Sequence, residues 1–130
     1  MYKYKIDFYL DKNGKSELQE YIYSLSDESL TNKDARINYQ QITFQIKLLR
    51  EEGTNLSSKY TKHIEEDIWE LRPGNNRILY FCWLEDTFVL LHHFKKKTDK
   101  TPRNEINRAK FERDEYIRRH KKYETGTEKY

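Results

Sequence analysis

Polar and apolar positions alternate from Tyr2 to Leu10 (YKYKIDFYL), and the run is rich in Tyr, Phe and Ile. That period of two predicts a first β-strand. Asn13-Gly14 turns the chain, and the period then changes. Leu18, Tyr21, Ile22 and Leu25 fall at i, i+3, i+4 and i+7, one face of a helix, and Ser16 with Gln19 three residues later has the form of a capping box. A second helix is expected from Ser29 to Glu52, with Ala35, Ile42, Ile46 and Leu49 as its apolar stripe and Phe44 and Leu48 widening it. Gly53 is placed to stop it. At about 24 residues this helix would be roughly 36 Å long. The two helices form a hairpin able to lie over a sheet.

Beyond a polar connector, Thr54 to Lys62, three strand signals follow closely: Ile64 to Arg72, Arg77 to Leu84, and Phe88 to Lys95. They are joined by the turn RPGNNR and by Glu85-Asp86-Thr87, which predicts an antiparallel meander. The middle strand, RILYFCWL, is apolar on both faces, so it belongs at the centre of the sheet with cover on both sides. Cys82 lies in this run and is expected in the core. Thr101 and Pro102 open a last helix as N-cap and N1, with Ile106, Ala109 and Tyr116/Ile117 as a narrow inward stripe. The expected fold is α+β: an N-terminal strand, a helical hairpin, a three-stranded antiparallel meander and a C-terminal helix. One domain covers 1–122, and 123–130, which has no periodicity, is expected to fray.

Composition sharpens this. Mean hydropathy is −1.13 and 36% of residues are charged, which raises the question of disorder. Aromatic residues at 15% argue for a folded domain with a wet surface. One cysteine excludes an internal disulfide and a cysteine metal cage. With no signal peptide and no long apolar segment, the expected location is the cytoplasm. Charge is uneven: between Lys95 and Lys122 there are 12 Lys and Arg against 5 Asp and Glu, inside a chain of net charge +3. A basic C-terminal third suits an anionic partner, nucleic acid first among them, or else a solvated charged helix.

The turn Glu70-Leu-Arg-Pro-Gly-Asn-Asn-Arg77 brackets a chain reversal with Arg72 and Arg77. In a regular meander Arg72 opposes Arg77, Arg77 opposes a residue near Lys95, and opposed residues share a face. Arg72, Arg77 and Lys95 would then form a cationic row, with His93 on the same face and Lys96 and Lys97 extending the rim. A slip of one residue would put His92 in place of His93. Such a row needs an anion. It is either an external phosphate, for which Arg is geometrically suited, or the internal carboxylate of Glu70. An imidazole between arginines suits ribonuclease chemistry, in which the ribose 2′-OH attacks phosphorus and needs a base, an acid and charge stabilisation. His63 and His120 receive no role.

The runs IWELRPGNNRILYF and FVLLHHFKKKTDKTPRNEINRA resemble the phage-derived HigB branch of the RelE/ParE toxin superfamily. The shared pattern is ELR, a turn, Arg and an apolar strand, then an apolar strand ending in F-KK-T, then TP opening a helix with a later Ala. The resemblance implies a RelE-like fold and a toxin of a type II toxin–antitoxin module. It implies an endoribonuclease (an mRNA interferase) that cuts mRNA on the ribosome and inhibits translation, with no metal and no cofactor. Its partners would be mRNA, the ribosome and a cognate HigA-type helix-turn-helix antitoxin in a hetero-oligomeric complex. By position, Arg77 matches the family's phosphate-binding arginine, Arg72 a basic residue ending the preceding strand, and Lys95 and Lys96 the basic residue ending the following one. The expected catalytic set is therefore Arg72, Arg77, His93, Lys95 and Lys96. The expected RNA contacts are Arg72, Arg77, Lys95, Lys96, Lys97, Lys100 and Arg103. The proton carrier stays open among His92, His93, Lys95, Lys96 and a C-terminal tyrosine, Tyr116 or Tyr123. The other readings are a ParE-like toxin that inhibits DNA gyrase, and a basic module that only binds nucleic acid or protein.

Overall fold

The doubly apolar strand RILYFCWL organises the molecule. In the computed structural model, which describes residues 2–128 and side chains through residue 121, it is β4 (Asn76–Trp83) at the centre of a five-stranded mixed sheet. The chain order is β1 (Lys5–Phe8), α1 (Glu17–Glu28), α2 (Lys33–Glu52), a 3₁₀ turn (Gly53–Asn55), β2 (Thr61–Glu65), β3 (Ile68–Leu71), β4, β5 (Thr87–Lys95) and α3 (Arg103–Glu128). The strands lie in the order β1-β5-β4-β3-β2, with β1 parallel to β5 and the other neighbours antiparallel. The α+β fold is the one expected, and its sheet is larger than the expected meander.

Two layers of helix cover the sheet. On one face Leu71, Ile78, Tyr80, Phe88 and Leu90 pack with Leu18, Leu25, Ala35, Ile42 and Leu49 of the α1–α2 hairpin. On the other, Ile68, Leu79, Phe81, Val89 and Leu91 pack with Ala109 and Tyr116 of α3. Alternation along β4 is thus hairpin face at even numbers and α3 face at odd ones.

Local chemistry sets the helix ends. Ser16 Oγ accepts from Gln19 N at 3.1 Å, as the capping box requires, and Asn32 caps α2 through Ala35 N at 3.0 Å. We expect Ser16→Ala to lower stability by about 1 kcal/mol in chemical denaturation, with no effect on the sheet. The second helix begins at Lys33, not Ser29, because α1 runs to Glu28 and Asn32 supplies the cap. Gly53 ends it at φ 64°, where a Cβ would lie 2.8 Å from the Tyr4 ring.

Several expectations need correction. The predicted strand Ile64–Arg72 is two strands, β2 and β3, folded about Glu66 and Asp67, with Glu66 at φ 52°. No Gly or Asn marks that reversal, so the sequence hides it. The first strand is shorter than Tyr2–Leu10. Cys82, one residue before the end of β4, is exposed and not in the core, although Phe88 opposite it is buried. Phe44 is also exposed, resting edge-on against Tyr60 and outside the core. The last helix starts at Arg103, and the Thr101 hydroxyl bonds Glu70 instead of capping it. The stretch expected to fray, 123–130, lies outside the described side chains.

Candidate nucleic-acid interface

The Pro73–Asn76 turn is closed by Asn76 N donating to Pro73 O at 2.9 Å. Gly74 takes φ 59°, and a Cβ there would meet Gln41 Oε1 at 2.4 Å. Gln45, buried on α2, pins the start of the turn: its amide donates to Arg72 O and its carbonyl accepts from Arg72 N, both at 3.2 Å. Arg77 clasps the inside of the turn. One of its guanidinium nitrogens donates to Gly74 O and Asn76 O, both at 2.8 Å, and only 7% of the residue is exposed. Burial lowers its pKa, Glu70 opposes that, and Arg72 adds to it.

The anion between the two arginines is internal. Glu70, 3% exposed, sets Oε2 at 3.5 Å from Arg72 Nε and 3.9 Å from Arg77 Nε, and its Oε1 accepts from Thr101 Oγ1 at 2.8 Å. Arg77 is therefore largely spent on the turn and on Glu70, whereas the Arg72 side chain keeps about a quarter of its surface open (27%). The pair is a closed triad with one exposed end, not an open two-armed clamp.

The expected row of cations is broken. A bulge at Leu91 shifts the β4–β5 register, so Leu79 opposes His92 while Tyr80 opposes Leu90. Arg77 then opposes Phe94, and Lys95 opposes Asn76 on the other face. His93 and Lys95 lie on the hairpin side, behind the sheet from Arg77. The His93 ring stacks on Tyr21 at 4.1 Å and 8°, and its Nδ1 is buried without a hydrogen-bond partner. Burial lowers the His93 pKa, helped by His92, Lys95 and Arg108 and opposed by Glu17. Lys95 Nζ donates to Tyr21 Oη, which donates to buried Asn76 Oδ1, each at 3.0 Å. Lys96 pairs with Asp99 at 3.3 Å.

His92 is the histidine on Arg77's face, and α3 occupies it. Its Nδ1 lies 2.6 Å from Glu112 and its Nε2 3.1 Å from Glu105, and it is 1% exposed. Both ring nitrogens of His92 thus face carboxylate oxygens of α3. Tyr116 is also engaged elsewhere: it donates to Asp7 Oδ2 at 2.7 Å and stacks on His120. The Tyr123 side chain lies outside the described residues.

Beside the Glu70 triad, on the α3 face, opens a cleft of about 720 Å³ between β2 and the 96–102 loop. Lys62, Lys97, Lys100, Thr101 and Arg103 line it, with Ile64 and Ile106 as apolar floor. Lys62 belongs here because it opposes Glu70 across the β2–β3 ladder. Sequence reading put Lys62 in a connector, since its place depends on the hidden β2–β3 turn. Lys62, Lys97 and Lys100 have no acidic partner within 4 Å among the described residues. The basic helix is the reverse case. Arg103 and Lys110 meet Glu65, Arg113 meets Glu66 and Asp67, Arg108 meets Glu17 and Glu112, and Arg118 and Arg119 meet Glu115. Most of the charge asymmetry along α3 is thus neutralised by its own fold.

That docking has a pH signature. Hydrogen bonds from Arg103 and Lys110 lower the Glu65 pKa from 4.5 to about 2, and those from Lys110 and Arg113 lower that of Glu66. Lowered carboxylate pKa values contribute stability that is present above the unfolded value and lost as pH falls through the folded one. We expect the contact between α3 and the β2–β3 turn to weaken from about pH 4.5 towards 2, followed as loss of amide-exchange protection at the start of α3.

Among the described residues no group of three His, Cys, Asp or Glu is placed to hold a metal ion, and no helix is long and apolar enough to cross a membrane. Comparison with protein families finds a match to the phage-derived protein Gp49-like family over residues 22–114. The chain belongs to that family. It is a RelE/toxin-like family, and the element order here is RelE-like. The region matched to the Gp49-like family contains the arginine turn, both histidines of β5, the whole cleft and the first half of α3. No curated protein matches the chain.

Proposed function

We propose that this protein is the toxin of a type II toxin–antitoxin module, of the HigB kind, and that it is a metal-independent endoribonuclease. Its substrate is mRNA, cut on the translating ribosome at the cleft between β2 and the 96–102 loop. The observation that carries this reading is the segregation of charge. Among the described residues, Arg103, Arg108, Lys110, Arg113, Arg118 and Arg119 of α3 meet carboxylates of the chain, while Lys62, Lys97 and Lys100 stand without an acidic partner around one cleft, which Thr101 and Glu70 connect to Arg72. Membership of the Gp49-like family supports it. Unpaired lysines on a concave surface attract a phosphate backbone and release its counterions. Arg72, with its outer end open, is suited to hold the scissile phosphate. Cleavage follows from attack of the ribose 2′-OH on that phosphate, with the cations stabilising the charge that accumulates on phosphorus. The partner is a HigA-type helix-turn-helix antitoxin that blocks the cleft.

The test is expression of wild type and of a triple Lys62→Glu/Lys97→Glu/Lys100→Glu variant, with mRNA 5′ ends mapped after induction. New internal 5′ ends are expected with wild type and not with the variant. Growth arrest with intact transcripts and damaged DNA would instead favour a gyrase-directed toxin. In vitro, the variant is expected to bind single-stranded RNA with a log–log salt slope smaller by about 2, three contacts at roughly 0.7 each. Its folding stability is measured alongside, with a loss of about 1–2 kcal/mol expected, because Lys62→Glu sets a second carboxylate opposite Glu70.

A further inference from the structure

Thr101 is well placed in sequence to cap α3, yet its hydroxyl points the other way, into the Glu70 carboxylate. A helix start that gives up its capping side chain needs another account. Thr101 lines the cleft, and Glu70 behind it is 3% exposed, so the hydroxyl is the contact between the cleft and a buried carboxylate. The carboxylate and the imidazole that also line the cleft are engaged elsewhere. Glu65 accepts from Arg103 and Lys110, and the His63 Nε2 bonds Glu66 O while its ring rests edge-on against Trp69.

Resting on the ribonuclease reading, the geometry points to Thr101 and Glu70 as the proton relay of the cleavage step, Thr101 touching the attacking hydroxyl and Glu70 receiving the proton through it. The ribose 2′-OH gives its proton to Thr101 Oγ as the Thr101 proton passes to Glu70 Oε1. The O2′–P bond forms, the P–O5′ bond breaks, and the departing 5′-oxygen takes a proton from the ammonium of Lys97 or Lys100. The products are a 2′,3′-cyclic phosphate and a 5′-hydroxyl end. The groups facing Glu70 are Lys62 from β2, Arg72 at the end of its own strand, Arg77 from β4, and Thr101. When Glu70 takes the proton, Arg72 and Arg77 lose their internal counter-charge. The positive potential then rises just as negative charge builds on phosphorus.

The experiment measures cleavage of a defined mRNA, free and on programmed ribosomes, by the full chain and by Glu70→Gln, Thr101→Val and Thr101→Ser. RNA affinity and melting temperature are measured alongside. A general base contributes about 10²–10⁴ in rate, so Glu70→Gln and Thr101→Val should lose at least about 100-fold with RNA affinity kept within about threefold, while Thr101→Ser retains cleavage. If Glu70→Gln folds poorly, the Val/Ser pair at Thr101 decides, because serine restores the hydroxyl. Wild-type cleavage with full activity in Thr101→Val overturns the relay and leaves the nuclease reading standing. No cleavage by wild type in either format overturns both.

Discussion

Arg77→Ala is expected to lower folding stability by about 3–5 kcal/mol, the range for breaking a buried ion pair by removing one partner. The substitution strips two carbonyls of the Pro73–Asn76 turn of their donor and leaves Glu70, 3% exposed, with Arg72 as its remaining cation. Urea denaturation monitored by tryptophan fluorescence measures it, and a change within about 0.5 kcal/mol would mean that Arg77 behaves as a surface residue. Arg72→Ala should cost less, since the outer part of that side chain is open to solvent. The ordering matters for function. A toxin disabled by Arg77→Ala is disabled first through its fold, so a phosphate contact is probed at Arg72 and the three cleft lysines.

His92→Leu is expected to cost about 1–3 kcal/mol, the range for leaving buried polar groups without their hydrogen-bond partner. His92 is the polar pin between β5 and α3, and its removal leaves the carboxylates of Glu105 and Glu112 facing an apolar side chain. Glu112 keeps Arg108, at 3.1 Å, which puts the loss toward the lower end of the range. Adding Glu112→Leu to His92→Leu should recover part of the stability, because replacing both members of a buried pair by apolar groups is often neutral. A double variant as unstable as the sum of the two single ones would show that the residues act independently. Both variants are read by chemical denaturation at pH 7, and the loss should be concentrated in protection of α3.

The candidate site was legible in its residues and not in their facing. Arg72, Arg77, Glu70 and the lysines after β5 all stand out in the chain, and Glu70 as the internal anion is one of the two alternatives that the sequence leaves open. What misleads is one residue, Leu91. The run FVLLHHF is apolar almost throughout, so it carries no period-two signal that would reveal an extra residue. The bulge there exchanges His93 for His92 on Arg77's face and moves Lys95 to the far side. A side-chain period of two makes such a one-residue shift decisive. Lys62 was hidden for a related reason: the β2–β3 reversal is made by Glu66 at positive φ and Asp67, with neither Gly nor Asn at the positive-φ position.

By itself the sequence determined the α+β class, the helical hairpin with its Ser16 cap and Gly53 stop, the central doubly covered strand and the turn between the two arginines. These rest on local periodicity and on single residues whose backbone or hydrogen-bonding preferences act over a few positions. The tertiary structure alone decided which charges are left over. Among the described residues, Arg77 and Arg103, Arg108, Lys110 and Arg113 of α3 meet carboxylates from other elements, whereas Lys62, Lys97 and Lys100 have no acidic partner. Net charge along a chain is a sum over neighbours in sequence, but the field a ligand meets depends on neighbours in space, and pairing removes most of it. So the basic third of the chain, which drew attention first as a long charged helix, narrows to a few lysines around one cleft and the buried carboxylate that Thr101 connects to it.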